Sequence, residues 1–349
     1  MVKKEIQEIL NKAYQREKLT KEEIRTLVYC PEYSYESALI RAMSDRIIRE
    51  KTENSGVIIA QIGVDIHPCK ANCKFCSFGS THTCVPSFQV GKDVVKETIE
   101  SFTRYDDLYG LYLMTMADTD KPYLLDMIRY ARSIAPATTQ IWINTGDNDL
   151  QFYKDAKAAG ACGAYHVHRI GEGTSTSLDP AVRMQSMRYI KEAGLDLFSC
   201  CEPIGPETTP DEITDEIYRC VDLGVTQFGA MKRTAVPGTP FASLGQISDL
   251  KMAHIMGCVG LAYASVKTAK IFGVHEPCEA GYLSGANFIT AETGANPRDT
   301  APDTSKARGW DMARCRKLMY ECGFTKLLKG DHTSIPLDFD YLKKTYSDF

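Results

Sequence analysis

The chain has no run of about 18 uninterrupted apolar residues, so it offers no helix able to cross a bilayer. It also lacks excess positive charge. Its 41 Lys and Arg against 45 Asp and Glu leave a net charge of −4, which excludes an obvious basic footprint for nucleic acid. The opening residues, MVKKEIQEILNKAYQREK, have neither the apolar stretch nor the small-residue cleavage site of a secretory signal, and read as a charged amphipathic helix. A cytoplasmic protein is expected. No G-x-G-x-x-G turn follows the first strand-like run, which counts against a doubly wound dinucleotide-binding sheet. No linker, repeat or low-complexity segment divides the chain.

What is present is a regular beat. The 349 residues, 44% hydrophobic and 25% charged, suit one large domain of roughly 250 to 300 residues with extensions. Short runs rich in β-branched and aromatic residues, at 55–64, 109–116, 139–146, 162–169, 195–201, 225–231, 263–269 and 286–292, read as strands. Helical patterns lie between them, near 91–104, 121–134, 149–159, 180–193, 210–223, 246–261 and 275–284. Asp179-Pro180 and Thr209-Pro210 open two of these helices, and Gly194 and Gly224 close them, the grammar of parallel βα units. The expectation is an α/β fold, a (β/α)8 TIM-barrel-like domain over 55–325, full or slightly open. An N-terminal helical extension over 1–54 precedes it, with two helices, the second opened by a Thr20–Glu23 capping box. A tail over 326–349 is expected to pack on the outside.

Thirteen cysteines, an odd number scattered through regular segments, do not form a disulfide frame. In a reducing compartment they read as buried small residues plus a metal site, in a setting sheltered from oxygen. The site is "HPCKANCKFCSFGS", where Cys69, Cys73 and Cys76 follow the first strand at the end where barrels carry their chemistry. Zinc would need a fourth ligand, for which His67, His82 and Cys84 are near enough. A [4Fe–4S] cluster would instead leave one iron open to a small molecule.

The C-x3-C-x2-C spacing, with Phe75 before the last cysteine, resembles the radical S-adenosylmethionine enzymes. Over about 55–325 the chain is similar to the biotin synthase branch, which also holds the HydE type and methylornithine synthase. The likeness rests on "KPYLLDMIRYARSI", "RMQSMRYIKEAGLDLFSCCEPIGPE", "MKRTAVPGTPFA" and "AGYLSGANFI". It implies that Cys69, Cys73 and Cys76 hold a [4Fe–4S] cluster whose open iron takes S-adenosyl-L-methionine. Electrons would come from a donor such as flavodoxin or ferredoxin. A 5′-deoxyadenosyl radical would then take hydrogen from a small organic substrate.

The resemblance also implies site residues. Arg183 corresponds to the arginine that pairs with the methionyl carboxylate, a role suited to its planar fork. Glu172 would meet the ribose, with His168 near it, and Phe75 would cover the adenine. Thr115, where the branch binds the methionine amine, stands in "MTMADTD" without the usual glycines or glutamate. Asn144 would face the site from the third strand. Glu202, a carboxylate at a strand end, is the catalytic candidate, for proton transfer or for holding a substrate cation. Lys232, Arg233 and Arg298 are candidates for an acidic substrate group. An auxiliary iron–sulfur cluster is a further option, with Cys200, Cys201 and Cys278 as candidate ligands, against the plain reading of them as buried cysteines. The strand-two and strand-three cysteines of biotin synthase are missing, so rearrangement or fragmentation is favoured over sulfur insertion. A non-catalytic metal- or cluster-binding protein is the alternative from another class.

Overall fold

The computed structural model describes residues 3–345. Eight parallel strands form the barrel: β1 (Ser55–Gly63), β2 (Gly110–Met114), β3 (Gln140–Asn144), β4 (Gly163–Tyr165), β5 (Asp196–Ile204), β6 (Gln227–Lys232), β7 (Ile271–His275) and β8 (Phe288–Gly294). Each pairs with the next, and β8 returns to β1 from Val57↔Phe288 to Gly63↔Gly294, so the barrel is closed. The seam between β7 and β8 is thin, with Gly273↔Phe288 as its ladder pair.

Seven helices fill the connections on the outside: α4 (Lys92–Phe102), α5 (Lys121–Ile134), α6 (Leu150–Ala159), α7 (Pro180–Glu192), α8 (Pro210–Leu223), α9 (Asp249–Ala262) and the short α10 (Glu279–Tyr282). The capping chemistry works as the sequence suggests. Asp179 accepts from the amides of Ala181 and Val182, Thr209 and Glu212 form a capping box, and Gly194 and Gly224 take positive φ after their helices.

Alternation along the strands produces two cores. Outward side chains pack against the helices, while Ile59, Tyr112, Trp142, Phe198 and Phe288 close the lower barrel interior. Trp142 stacks on Tyr112 at 5.2 Å, and Phe198 meets Phe288 edge-on at 5.0 Å. The floor is therefore apolar, and any polar chemistry inside must lie above it.

Three expectations need correction. The seventh strand is not 263–269; Tyr263 caps α9, and the strand is Ile271–His275. Its central Gly273 weakens the strand pattern, while the Tyr-Ala-Ser-Val run belongs to the turns after the helix. The helix foreseen at 275–284 shrinks to the four residues of α10. There are three N-terminal helices, α1 (Lys4–Tyr14), α2 (Lys21–Val28, with the Thr20–Glu23 capping box) and α3 (Tyr35–Thr52). The third explains why α9 is buried on every side from Met252 to Ala262. It lies so close that a Cβ on Gly260 would come within 2.0 Å of Ser44 Oγ.

The C-terminal segment does more than lie on the outside. Lys326–Leu328 pairs with the start of β1, and Ser334–Pro336 pairs antiparallel with it. Between them Gly330 passes under the barrel, where its carbonyl accepts from Gln140 Nε2 at 2.8 Å. α11 (Met312–Glu321) and α12 (Phe339–Thr345) complete the fold.

Candidate functional site

Two adjoining cavities open at the C-terminal ends of the strands. The upper one, about 660 Å³ with its mouth, is lined by Cys69, Cys73, Cys76, Thr115, Asn144 and Arg183. The inner one, about 690 Å³, reaches down to Phe198 and is faced by Phe75, Tyr165, Glu202, His275 and Arg298. Cys73, Cys76, Met114, Asn144, Arg169 and Pro297 border both.

The cysteine loop is held by its backbone. Cys69 donates to Phe78 O at 2.8 Å and its carbonyl accepts from Ser80 N at 3.0 Å, while Cys76 donates to Cys73 O at 3.0 Å. Asn72, at φ 45°, turns the chain between the first two cysteines, and its side-chain oxygen accepts from Ser80 Oγ and Thr81 N. His82 bonds the Cys76 carbonyl at 2.7 Å, so it braces the loop. Outside ties fix the loop over the barrel: Lys74 N to Ser175 O, Ser77 N to Pro297 O, and Phe241 N to Lys74 O. All thirteen cysteines are free. Cys69 and Cys73 are buried, and burial pushes the Cys73 thiol up to about 11.

Two glycines bring backbone to the cavity wall. A Cβ on Gly63 would lie 2.5 Å from the Ala295 backbone, and one on Gly146 would lie 1.9 Å from Ala117 O. Neither position tolerates a side chain.

Arg183, reaching in from α7, is 3% exposed. Its Nη1 lies 3.1 Å from Asp147 Oδ1 and 2.8 Å from His166 Nε2, while its Nε is buried without a hydrogen-bond partner. Glu172 does not line either cavity. Its carboxylate accepts from Arg169 N at 3.0 Å and Thr176 Oγ1 at 2.5 Å and faces Arg183 Nε at 3.6 Å, so it positions the arginine. Burial alone would raise the Glu172 carboxyl; Arg169, Thr176 and Arg183 outweigh that and hold it low.

His168 is also displaced from its expected place. β4 ends at Tyr165 instead of running to residue 169, so His168 lies beyond the strand. The His168 ring turns outward to Glu216, at 3.4 Å, and Arg219 of α8. Lys232 pairs with Asp249, and Arg233 with Glu207 and Gly245 O, so neither faces the cavities. Thr115 Oγ1 donates to Asn144 O at 3.0 Å, tying two strand ends together at the cavity wall.

The sequence reading passed over Arg169, Tyr165 and Asp147. Arg169 has Nε and Nη1 buried without hydrogen-bond partners, although Nε is 3.4 Å from Glu202 Oε1. Tyr165 donates to Glu202 Oε2 at 2.5 Å. Asp147 and Tyr165 lie at or just past strand ends, the signal that would have found them. Arg298 reaches the inner cavity after β8, held by Glu292 at 2.5 Å and Glu276 at 3.2 Å. Cys200 faces the barrel interior, whereas Cys201 and Cys278 lie in the helix-side core. The three are not brought together.

Burial holds four histidines neutral: His166, His168 and His254 fall to about 4 and His275 to about 3. The unfolded chain binds these protons near pH 6.5, so acid favours unfolding as pH falls from about 6.5 towards 4. Urea titrations are expected to show several kcal/mol (order of magnitude) less stability at pH 5 than at pH 7. His254→Gln, far from both cavities, should reduce the slope by about one proton. An unchanged midpoint between the two pH values would contradict the assignment.

No protein-family model matches this sequence, and no curated protein matches it. Among solved structures, methylornithine synthase (PylB) superposes with TM-score 0.71 at 15% identity, over 81% of this chain and 85% of that one. HydG, a maturase of the [FeFe]-hydrogenase, gives TM-score 0.76 at 15% identity, over 93% of this chain and 76% of that one. HydG from Carboxydothermus hydrogenoformans gives 0.74 at 15% identity, over 93% and 80%. The chain thus has the barrel fold of these proteins, and the likeness to methylornithine synthase read from its motifs holds at the level of fold. Among the described residues, no helix is long and apolar enough to cross a membrane.

Proposed function

We propose that the protein is a radical S-adenosylmethionine enzyme acting on a small organic substrate. The observation that carries the reading is one cavity lined by three free thiols in C-x3-C-x2-C spacing together with a buried arginine whose Nε lacks a partner. The donor set fits the group. Three thiols match a cubane with one iron left for another ligand. The unpartnered N–H groups of Arg183 and Arg169 suit the oxygens of a carboxylate.

In this reading Cys69, Cys73 and Cys76 hold a [4Fe–4S] cluster, and the upper cavity holds S-adenosylmethionine. When bound, the pair supplies one-electron cleavage of the sulfonium and hydrogen abstraction by a 5′-deoxyadenosyl radical. The protein's part is placement. Arg183, fixed by Asp147, His166 and Glu172, receives the methionyl carboxylate. Thr115 lines the upper cavity and Asn144 borders both, while Phe75 faces the substrate chamber rather than the cavity read as the nucleotide's. The apolar floor of Phe198 and its neighbours limits water in the chamber. Glu202, hydrogen-bonded to Tyr165, holds a substrate cation or moves a proton. Rearrangement or fragmentation is supported over sulfur insertion by the separation of Cys200 from Cys201 and Cys278.

The test is anaerobic reconstitution with iron and sulfide, followed by assay for reductant-dependent 5′-deoxyadenosine. Its absence from protein with a full cluster would refute the reading. Arg183→Lys keeps the charge but not the fork. It should weaken equilibrium binding of S-adenosylmethionine roughly 10- to 100-fold.

A further inference from the structure

The end of the barrel opposite the cysteine loop carries a charged cavity of its own. It measures about 660 Å³ with its mouth and is lined by Arg16, Glu50, Lys51, Ser265, Lys267 and Lys270. Lys51 lies in the last turn of α3, ahead of β1, and Lys270 immediately precedes β7, so the cavity sits where strands begin. Four cations meet one carboxylate there, in a chain whose net charge is −4.

That carboxylate is already engaged. Glu50 Oε2 accepts from Arg16 Nη2 at 2.7 Å, and Oε1 accepts from Arg46 Nε at 2.9 Å. Glu53, at the end of the same helix, pairs with Lys326. Among the described residues, no carboxylate lies within ion-pair distance of Lys51, Lys267 or Lys270.

Lys51 is the member that surface charge alone does not explain. It is half-buried, its ammonium lies 5.6 Å from the centre of the Phe272 ring, and it donates to Tyr263 O at 2.8 Å. That bond satisfies a carbonyl at the end of α9 and uses one of the three ammonium N–H groups. A lysine serving only as a cap keeps the rest of its charged head in water. Here two donors remain on a partly desolvated cation with no counter-ion, an arrangement that costs free energy until an anion completes it. Burial, with Arg16 and Lys270 adding to it, pushes Lys51 down to about 8.

The donor set selects the anion. Three ammonium groups and the Ser265 hydroxyl offer more donors and more charge than one carboxylate can match. A phosphate monoester brings three strong acceptor oxygens and close to two negative charges. We infer that this cavity binds the phosphate group of a small phosphorylated molecule, with Lys51 at its base and the exposed Lys267 and Lys270 at its mouth. The site is separate from the proposed reaction, which lies at the other end of the barrel.

The test is calorimetric titration of reconstituted protein at low ionic strength and near-neutral pH. Inorganic phosphate and glycerol 3-phosphate are compared with acetate and with dimethyl phosphate, whose single charge is that of a nucleic-acid or phospholipid diester. Both dianions should bind, and the two monoanions should bind roughly 10-fold or more weakly. Lys51→Met should weaken phosphate about 10-fold or more. Lys267→Ser and Lys270→Ser, on exposed side chains that the fold does not need, should each weaken it roughly 2- to 5-fold. Arg183→Lys, at the other end of the barrel, should leave it unchanged. Circular dichroism verifies that each variant is folded. Absence of phosphate binding would overturn the inference, as would acetate or dimethyl phosphate binding as tightly as phosphate. Phosphate binding that falls with Arg183→Lys but not with Lys51→Met belongs to the upper cavity and would overturn it too. A loss confined to Lys267→Ser and Lys270→Ser would reduce the site to surface charge and have the same consequence. Each of these failures leaves the proposed reaction standing.

Discussion

Anaerobically reconstituted protein is expected to hold about four irons and four sulfides per chain, and Cys73→Ala to hold none above background. The same variant should lose reductant-dependent 5′-deoxyadenosine formation by at least ~10³-fold, the scale on which removal of an indispensable group acts. Alanine is the informative replacement, because a serine oxygen can still ligate iron. The loop should survive the change. Its shape is set by backbone bonds, including Cys76 N to Cys73 O, and by Asn72 and His82, none of which uses the Cys73 sulfur. Cys84→Ala is the matched control: this cysteine is exposed and should leave iron and activity unchanged. Iron retained by Cys73→Ala but lost from Cys84→Ala would move the ligand set and defeat the assignment. Zinc in place of iron and sulfide would defeat the cluster altogether.

The features that were legible in the sequence are those decided locally. Helix starts depend on a cap and a proline within one turn, so Asp179-Pro180 and Thr209-Pro210 could be placed from residues alone. The cysteine loop was legible for the same reason, since three cysteines within eight residues need no tertiary information. Features decided by distant packing were not. Helix α9 looks apolar all round because α3 covers its outer face, and nothing in its own residues names that partner. β7 is hard to see because Gly273 interrupts it. His168 was placed beside Glu172 on a segment read as strand 162–169, which in fact stops at Tyr165. Glu172 was placed near the ligand by the resemblance, yet Thr176 and Arg183 claim its oxygens first. Arg169 was the costliest omission. Its importance comes from lying between Glu172 and Glu202, residues that only the folded barrel brings to one side chain.

The second large effect concerns the base of the fold. Arg316→Met is expected to destabilise the protein by about 3–5 kcal/mol, because it strands a buried carboxylate. Arg316, on α11, is 2% exposed and grips Asp107 with two bonds, Nε to Oδ2 at 2.5 Å and Nη2 to Oδ1 at 3.0 Å. Asp107 is wholly buried in the turn that enters β2, and its remaining help is the Tyr341 hydroxyl of α12 at 3.0 Å. Three segments far apart in the chain meet at this one carboxylate. Methionine fills the volume of the arginine stem but offers no donor, so the charge is left with a single partner. The thermal midpoint should fall by roughly 5–10 °C, while S-adenosylmethionine binding below that midpoint stays intact, because the pair lies away from both cavities. Tyr341→Phe removes one bond and should cost only about 1 kcal/mol. The double replacement Asp107→Leu with Arg316→Met tests the cause. If the cost comes from the unpaired charge, the double variant recovers much of the loss; if it loses as much as the single, the explanation is lost packing and the electrostatic account is wrong.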